Sequence, residues 1–273
     1  MAIWYHRHGN FSYGGGCVRL RSLAKRVARR LLNLQVRNRK EFINCVSNRL
    51  GLEIGGPSSV FGDQGILPLY RYVKGLDNCV YSSDTIWEGH RAAGPTFQFH
   101  PGKPKGRNII CEASDLHPVP DGAYDFILAS HSLEHTANPL KVLAECRRVT
   151  KAGGALIVIL PHYRYMFDHR RPPTSLAHMI EDHEQDTDES DLTHLNEILE
   201  LHDLSRDKPA GSHEQFRERC MRNIENRCLH HHVFDDHNGQ ELVRTAGYRV
   251  ALVNFVKPFH VVILAFLDPQ AGE

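Results

Sequence analysis

The sequence predicts an α/β fold built on a mostly parallel sheet with helices on both faces. Between residues 50 and 160, five short apolar segments alternate with loops and helices, which is typical of parallel strands joined by crossovers. Polar residues or glycines follow these segments, and ligands of parallel sheets bind beyond the carboxyl ends of the strands. The alternation stops at residue 162 and resumes near residue 234, which indicates an insertion.

Composition excludes several classes of protein. The chain has 273 residues, of which 41% are hydrophobic and 24% charged, as in a globular protein with a sizeable core. We expect no membrane-spanning segment, because no apolar run approaches about 18 residues, and no secretory signal. Seven cysteines without a Cys-x-x-Cys pair predict reduced thiols and a cytoplasmic location.

Residues 1–48 are predicted to form a basic extension. The first 40 residues hold ten Arg or Lys and no acidic residue. Apolar residues recur at helical spacing over residues 19–34, which predicts an amphipathic helix. Its role stays open between packing on the domain, peripheral contact with anionic lipid, a cleaved presequence and a nucleic-acid contact.

The first strand ends in residues 50–58, the stretch that points most directly to a ligand. Glu53 closes an apolar run, and Gly55, Gly56, Pro57 and Ser58 follow it. Glycines let the backbone approach a ligand closely, and the acid before them can accept hydrogen bonds from the ligand. An ordinary turn is the other interpretation of these residues.

The other elements of the α/β part are predicted in order. Further strands are expected at residues 79–81, 108–111, 124–129 and 155–160, with a long loop over 88–107. A helix begins after the N-cap Asn138, with Pro139 at its first position, and ends near Gly153. A helix over 237–246 and strands over 249–255 and 260–267 complete a seven-stranded sheet.

Residues 162–233 are predicted to be a His-rich helical insertion that forms a substrate lid. Helices are expected over 175–184, 192–203 and 213–229, and Ser212 and Gln215 are placed as a capping box for the last of them. The insertion follows the fifth strand, so it lies above the ligand edge. Residues 49–161 and 234–273 then form the ligand-binding core.

Several motifs resemble the class I S-adenosylmethionine-dependent methyltransferases, and the type 11 branch in particular. The resemblance covers roughly residues 49–162 and, more weakly, 234–268. It rests on the stretches 53–58, 112–116, 124–135, 138–140 and 148–154, whose order and spacing agree with the family. It implies a Rossmann-like methyltransferase fold. Pro57 departs from the family, which usually has a second glycine there.

The resemblance also implies roles for individual residues. Glu53, Gly55 and Gly56, with Pro57 and Ser58 in the same loop, would hold the amino-acid end of S-adenosylmethionine. Asp84 would bind the ribose hydroxyls, with Glu88 or a serine as its substitute. The remaining cofactor positions implied by the family are Glu112 and Ala113 beside the adenine, and Ser130 and His131 near the methionine part.

Candidate catalytic residues follow the fifth strand. Methyl transfer to a hydroxyl needs a base, and histidine suits that role near neutral pH. His162 is the first choice, because it follows the strand directly, while a histidine that caps the last carbonyl of the strand is the plainer interpretation. Asp168 and His169 lie on the next loop with two arginines and could serve the reaction or bind a carboxylate, phosphate or sugar substrate, while a solvated loop is the other interpretation. His131 and His135 are rival bases, although His135 is expected to pack.

The histidines of the insertion raise the alternative of a divalent metal. His178 and Asp182 are four residues apart on one predicted helical face, as two ligands can be. His194, His202 and the run at 230–232 could complete such a site. Packed histidines and a solvated acidic face over residues 181–191 are the favoured interpretation.

The sequence therefore predicts an enzyme that methylates a hydroxyl of a small molecule or glycan with S-adenosylmethionine. The alternatives are a non-catalytic binding module with the same fold and a metal-assisted methyltransferase. Nucleic acid is a disfavoured partner, because a lid over phosphates should be basic rather than acidic.

Overall fold

A computed structural model describes residues 35–85 and 89–268. The predicted basic helix over 19–34 lies outside these residues, and so does Glu88. Within them, no helix combines the length and apolar character that crossing a bilayer requires.

The main sheet has eight strands and confirms the predicted mostly parallel architecture. Its order is β5-β6-β2-β1-β7-β8-β10-β9. Five adjacent strands, from β6 to β8, run parallel, and β10, β9 and β5 are antiparallel to their neighbours. The strands are β1 (Leu50–Ile54), β2 (Gly75–Val80), β5 (Gly94–Phe97), β6 (Gly106–Ile110), β7 (Tyr124–Ser130), β8 (Thr150–Pro161), β9 (Tyr248–Val256) and β10 (His260–Leu267).

The segment predicted to be a loop over 88–107 contains the eighth strand. β5 pairs with β6 at the edge of the sheet, with an irregular register between Gly94 and Phe97. The short strands β3 (Asp84–Thr85) and β4 (Gly89–His90) form a separate pair. The prediction was wrong there because Gly and Pro dominate the segment, and such residues occur in short edge strands as well as in loops.

Helices cover both faces of the sheet. One core packs α1 (Arg39–Val46) and residues 61–73 against alternate residues of the strands. The opposite core packs α2 (Pro139–Val149) and α7 (Asp236–Thr245). The predicted N-cap is confirmed, because the Asn138 side chain accepts a hydrogen bond from the Lys141 amide at 2.9 Å.

The chain between β8 and α7 forms short helices, which are α3 (Leu176–Glu184), α4 (Leu195–Leu201), α5 (His213–Met221) and α6 (Asn223–Asn226). The predicted capping box of Ser212 and Gln215 is present. The helix predicted over 213–229 is interrupted at Arg222 and stops before Arg227, which adopts a left-handed conformation with φ 51°. This segment has a small apolar core of its own.

Candidate active site

The loop after β1 is shaped by Glu53 from beneath. The Glu53 side chain is 0% exposed, although it belongs to a strand end that faces the ligand edge. Its carboxylate accepts hydrogen bonds from the Ser58 amide at 3.0 Å and from the Tyr70 hydroxyl at 2.9 Å. Glu53 therefore holds the loop in shape, and the exposed surface of the loop is formed by its backbone.

The two glycines of the loop have different surroundings. Gly55 is exposed, has φ +69°, and a Cβ added there would meet only Ser132 at 3.8 Å. Gly56 is buried, and a Cβ there would lie 2.4 Å from the Glu53 carboxyl group. Only glycine fits both positions, because Gly55 needs a left-handed backbone and Gly56 needs the space.

Two buried asparagines tie this loop to the neighbouring strands, and the sequence reasoning missed them. The Asn78 side chain accepts a hydrogen bond from the Gly56 amide at 2.8 Å and donates to Asn108 at 3.0 Å. Asn78 is 0% exposed and Asn108 is 3% exposed. A polar residue inside an otherwise apolar strand was the only available sign of this arrangement.

The loop meets the end of β7. The Ser58 and Ser130 hydroxyls lie 3.3 Å apart, and Ser132 is the residue nearest to the open side of Gly55. Ser130 thus contacts the loop, and the cofactor roles of Ser130 and His131 stay predictions. Pro57, between Gly56 and Ser58, is half-buried.

The other predicted cofactor residues are farther along the sheet edge. Asp84 lies beyond β2 in the β3–β4 pair, where its exposed carboxylate contacts the His90 ring at 2.9 Å. Glu112 follows β6, is half-buried like Ala113, and forms an ion pair with Arg227 of the insertion. The Arg227 guanidinium also lies 5.1 Å from the centre of the Tyr81 ring. The insertion therefore reaches over the ends of β2 and β6.

His131 occupies a strained position at the end of β7. Its φ of 51° is unusual for a residue with a side chain, and such strain is concentrated at functional sites. Its Nδ1 lies 3.4 Å from a carboxylate oxygen of Glu134, and its Nε2 lies 2.9 Å from His260 Nδ1. The side chain of His131 is 15% exposed, whereas that of Glu134 is 0% exposed.

Glu134, next to His131, is a buried anion. Burial acts to raise the pKa of Glu134, but the hydrogen bond and charge of His131 and the nearby His135 and His230 hold it below its usual value. Burial, and then the charge of His131, lower the pKa of His260 to about 3. Glu134 is therefore ionised and His260 neutral near pH 7, which leaves His131 between a carboxylate and a neutral ring.

The histidines predicted from the loop after β8 contact aromatic rings and a carboxylate. The His162 ring stacks on Tyr163 and packs against Phe255 of the edge strand β9. The His169 Nε2 lies 3.4 Å from Asp203 within the insertion. These contacts are typical of packed histidines, and the base role of His162 stays a prediction.

Asp168 belongs to a buried ion-pair network. Its side chain is 4% exposed, contacts His230 Nδ1 and lies 4.0 Å from Arg171. Burial opposes ionisation, but the His230 and Arg171 charges hold the pKa of Asp168 below its usual value. The pKa of His230 is raised because Asp168 outweighs its burial. Asp168 is thus a structural anion with its partners in place.

The rings of the three histidines at residues 230–232 contact three different partners. His230 contacts Asp168, the His231 Nε2 lies 3.0 Å from the Asn223 amide, and the His232 Nε2 lies 3.0 Å from Asp182. Asp182 also approaches His178, as their spacing predicted. His202 belongs elsewhere, because it stacks on Phe167 and contacts Asp207. Cys220 and Cys228 lie in the small apolar core.

A model of a methyltransferase domain matches residues 68–158, which include β2, β6, β7 and most of β8. Residues 68–158 are therefore similar to a methyltransferase domain. The cofactor of this family is S-adenosylmethionine.

Two curated proteins match this chain over short stretches only. Ajmaline N-methyltransferase from Rauvolfia serpentina is 43% identical over 53 residues, or 19% of this chain and 18% of that protein. An uncharacterized 37.1 kDa protein in a Streptomyces fradiae transposon is 37% identical over 57 residues, or 20% of this chain and 16% of that protein. The matches thus span less than a fifth of either relative.

Solved structures similar to the methyltransferase domain cover more of the chain at low identity. An S-adenosylmethionine-dependent methyltransferase from Aquifex aeolicus is 16% identical, with 90% of this chain and 97% of that chain covered, at a TM-score of 0.45. One from Methanosarcina mazei is 14% identical, with 87% and 100% covered, at a TM-score of 0.48.

The residues of this methyltransferase domain fit the cofactor of the family. The space beside Gly55 leaves its backbone open to a ligand. At Gly56 an added Cβ would clash with Glu53, so no larger residue fits there. Gly55, Gly56 and Ser58 would hold the amino-acid end, with Glu53 supporting them. The side chains at the ends of β2 and β6 stand along the same edge, where the nucleoside end would lie.

Proposed function

We propose that the protein methylates a hydroxyl group of a small molecule or glycan, with S-adenosylmethionine as methyl donor and His131 as base. The observation that carries this proposal is the strained His131 at the end of β7, backed by the buried Glu134 and adjacent to the cofactor loop. A buried acid that orients a partly exposed imidazole is the arrangement that general-base catalysis requires.

Each residue of this site has a distinct task. S-adenosylmethionine supplies a methyl group bound to a sulfonium. The thioether that leaves is neutral, so its departure needs no acid. His131 Nε2 accepts the proton of the hydroxyl as the nucleophile attacks, so the hydroxyl must replace His260 Nδ1, which lies 2.9 Å from this nitrogen. Glu134, 3.4 Å from Nδ1, stabilises the imidazolium that forms. Positioning of the nucleophile by the domain can contribute about 7–11 kcal/mol.

The insertion is the proposed source of substrate specificity. We infer that residues 49–161 and 234–273 form the cofactor-binding core and that 162–233 form a lid. The ion pair between Arg227 and Glu112 supports a lid over the cofactor edge. The acids of residues 181–191 disfavour a nucleic-acid substrate. Free thiols at all six cysteines of the described residues support a cytoplasmic location.

Replacing His131 with glutamine is expected to lower kcat by about 10²–10⁴-fold, the usual contribution of a general base. Glu134→Gln should give a smaller loss, because the imidazolium that forms during transfer loses a negative neighbour. The measurement is transfer of labelled methyl from S-adenosylmethionine to substrates in cell extracts, followed by kinetics on the methylated compound.

Further measurements test whether His131 is the base and whether the acceptor is a hydroxyl. Titration with S-adenosylhomocysteine should show unchanged binding in both variants, so a loss of transfer reports on the base. His162→Gln is the rival variant, and a larger loss there than in His131→Gln would overturn the assignment. Methylation of an amine that does not depend on His131 would refute transfer to a hydroxyl. Absence of any cofactor binding would favour the non-catalytic module.

A further inference from the structure

Four side chains from separate parts of the insertion form a connected cluster, in which His194 joins the other three through His178. His178 and Asp182 lie on α3, His194 precedes α4, and His232 lies in the segment before α7. His178, Asp182 and His232 each offer a donor atom, and these atoms lie within 4.8 Å of one another. The proposed base, His131, is not among them.

The distances between neighbouring donor atoms are close to those between the ligands of one metal ion. Asp182 Oδ2 lies 3.0 Å from His232 Nε2 and 3.5 Å from His178 Nε2. His194 Nε2 lies 2.8 Å from His178 Nε2. Ligands at about 2.0–2.2 Å around a tetrahedral zinc ion are about 3.4 Å apart. Small shifts of the half-buried His178 and His194 rings would bring their 2.8 Å separation to this value.

The outer nitrogens of the rings show how the inner ones are protonated. His232 Nδ1 lies 3.1 Å from the carbonyl oxygen of Thr136, which can only accept, so this nitrogen carries the hydrogen. His232 Nε2 therefore faces the Asp182 carboxylate at 3.0 Å. This nitrogen and this carboxylate oxygen are the two atoms that would bind a shared cation.

The other two rings have the same orientation. His178 Nδ1 lies 3.9 Å from Glu181 and His194 Nδ1 lies 3.6 Å from Glu197, so both outer nitrogens face carboxylates. Histidines that bind a metal usually donate their second N–H to a carboxylate or a carbonyl. All three imidazoles thus have an outer acceptor and an inward Nε2.

We propose that His178, Asp182, His194 and His232 bind a divalent transition-metal ion, for which zinc is the best chemical match. Three imidazoles and one carboxylate are a typical zinc donor set. A cleft of about 260 Å³ beside His178 and His194 gives the ion an entry path, and the acids Glu181 and Asp191 line it.

The site connects three segments of the insertion with the core. Thr136, which accepts from His232, lies just after β7, close to Glu134. The ion therefore stabilises the insertion against the end of β7, and this role does not depend on the proposed methyl transfer. Metal binding to such a site should appear as increased stability of the folded chain.

The test is zinc binding by the full chain after removal of metals with a chelator. We expect about one zinc ion per chain, as a closed set of four ligands requires, measured by elemental analysis and calorimetric titration with zinc alone. Zinc should raise the Tm. Asp182→Asn and His232→Ala should each weaken binding by at least roughly tenfold and abolish the increase in Tm. His237→Ala is the matched control, because that ring is 79% exposed on α7.

A second variant protects the test from misfolding. His194→Asn removes a ligand that is 23% exposed, so a correctly folded chain with weakened zinc binding supports the site. Equal zinc binding in wild type, Asp182→Asn and His194→Asn would overturn the proposal. So would a metal-free wild type whose Tm is unaffected by zinc, which would show that the rings form a hydrogen-bonded cluster only. Loss of binding in Glu134→Gln alone would assign the ion to the neighbouring Glu134–His135–His230 group instead.

Discussion

Gly56→Ala is expected to weaken the binding of S-adenosylhomocysteine by about 100-fold, or about 2.8 kcal/mol. The added methyl group would lie 2.4 Å from the Glu53 carboxyl group, which the Ser58 amide and the Tyr70 hydroxyl hold in place. The loop must move to make room, and its exposed backbone moves with it. Calorimetric titration of the two chains with S-adenosylhomocysteine measures the difference.

Two further variants separate a binding defect from misfolding. Gly62→Ala is the matched control, because Gly62 has φ −69° and an added Cβ would only touch the Ser59 carbonyl at 3.4 Å. Gly55→Arg leaves the contacts of Glu53 intact and fills the space above the loop, so it should also lose binding. Wild-type affinity in both Gly55→Arg and Gly56→Ala would show that the cofactor binds elsewhere.

Asp168→Asn is expected to lower the free energy of unfolding by about 3–5 kcal/mol, the usual cost of breaking a buried ion pair at one partner. The substitution leaves His230 buried without its carboxylate, whereas Arg171 keeps Glu197 at 3.6 Å. The Asp168 and Arg171 side chains are 4% and 3% exposed. Unfolding in urea at pH 6 measures the change. Asp186→Asn is the control, because that carboxylate is 73% exposed and its pair with Lys141 should contribute less than about 1 kcal/mol.

The effect of Asp168→Asn should depend on pH in a defined direction. Asp168 has a lowered pKa, so its contribution is present above about pH 3.9 and is lost as the pH falls through the folded value. His230 has a raised pKa, so its contribution is present below about pH 6.5 and is lost as the pH rises through the folded value. The difference between wild type and variant should therefore be largest between these limits. A difference that stays constant well above pH 6.5 would contradict the ion pair.

Local and periodic features of the fold were predictable from the sequence. The strands, the N-cap at Asn138 and the capping box at Ser212 depend on residues that are neighbours in the chain. The eighth strand was not predictable, because an edge strand such as β5 is defined by its partner β6 more than by its own residues. The end of the predicted helix before Arg227 was missed for a similar reason, since Arg227 pairs with Glu112, which follows β6.

The site could be predicted in position but only in part in its roles. Glu53 was expected to hold the ligand, and its carboxylate accepts hydrogen bonds from Ser58 and Tyr70. Asp168 was expected at the reaction centre, and it pairs with His230 in a buried network. Their roles toward ligand and substrate stay predictions. The position of each side chain follows from the strand order, whereas its charge partners come from distant parts of the chain.

The sequence by itself determined the parallel α/β sheet, the glycine loop after β1 and the similarity to a methyltransferase domain, since each depends on short stretches of consecutive residues. Only the tertiary structure decided which partner each histidine contacts. An imidazole can donate, accept, pack or bind a metal, and its neighbours choose among these. Glu134 beside His131, Asp168 beside His230 and Asp182 beside His232 make those choices, and the last two pairs are 62 and 50 residues apart in the chain.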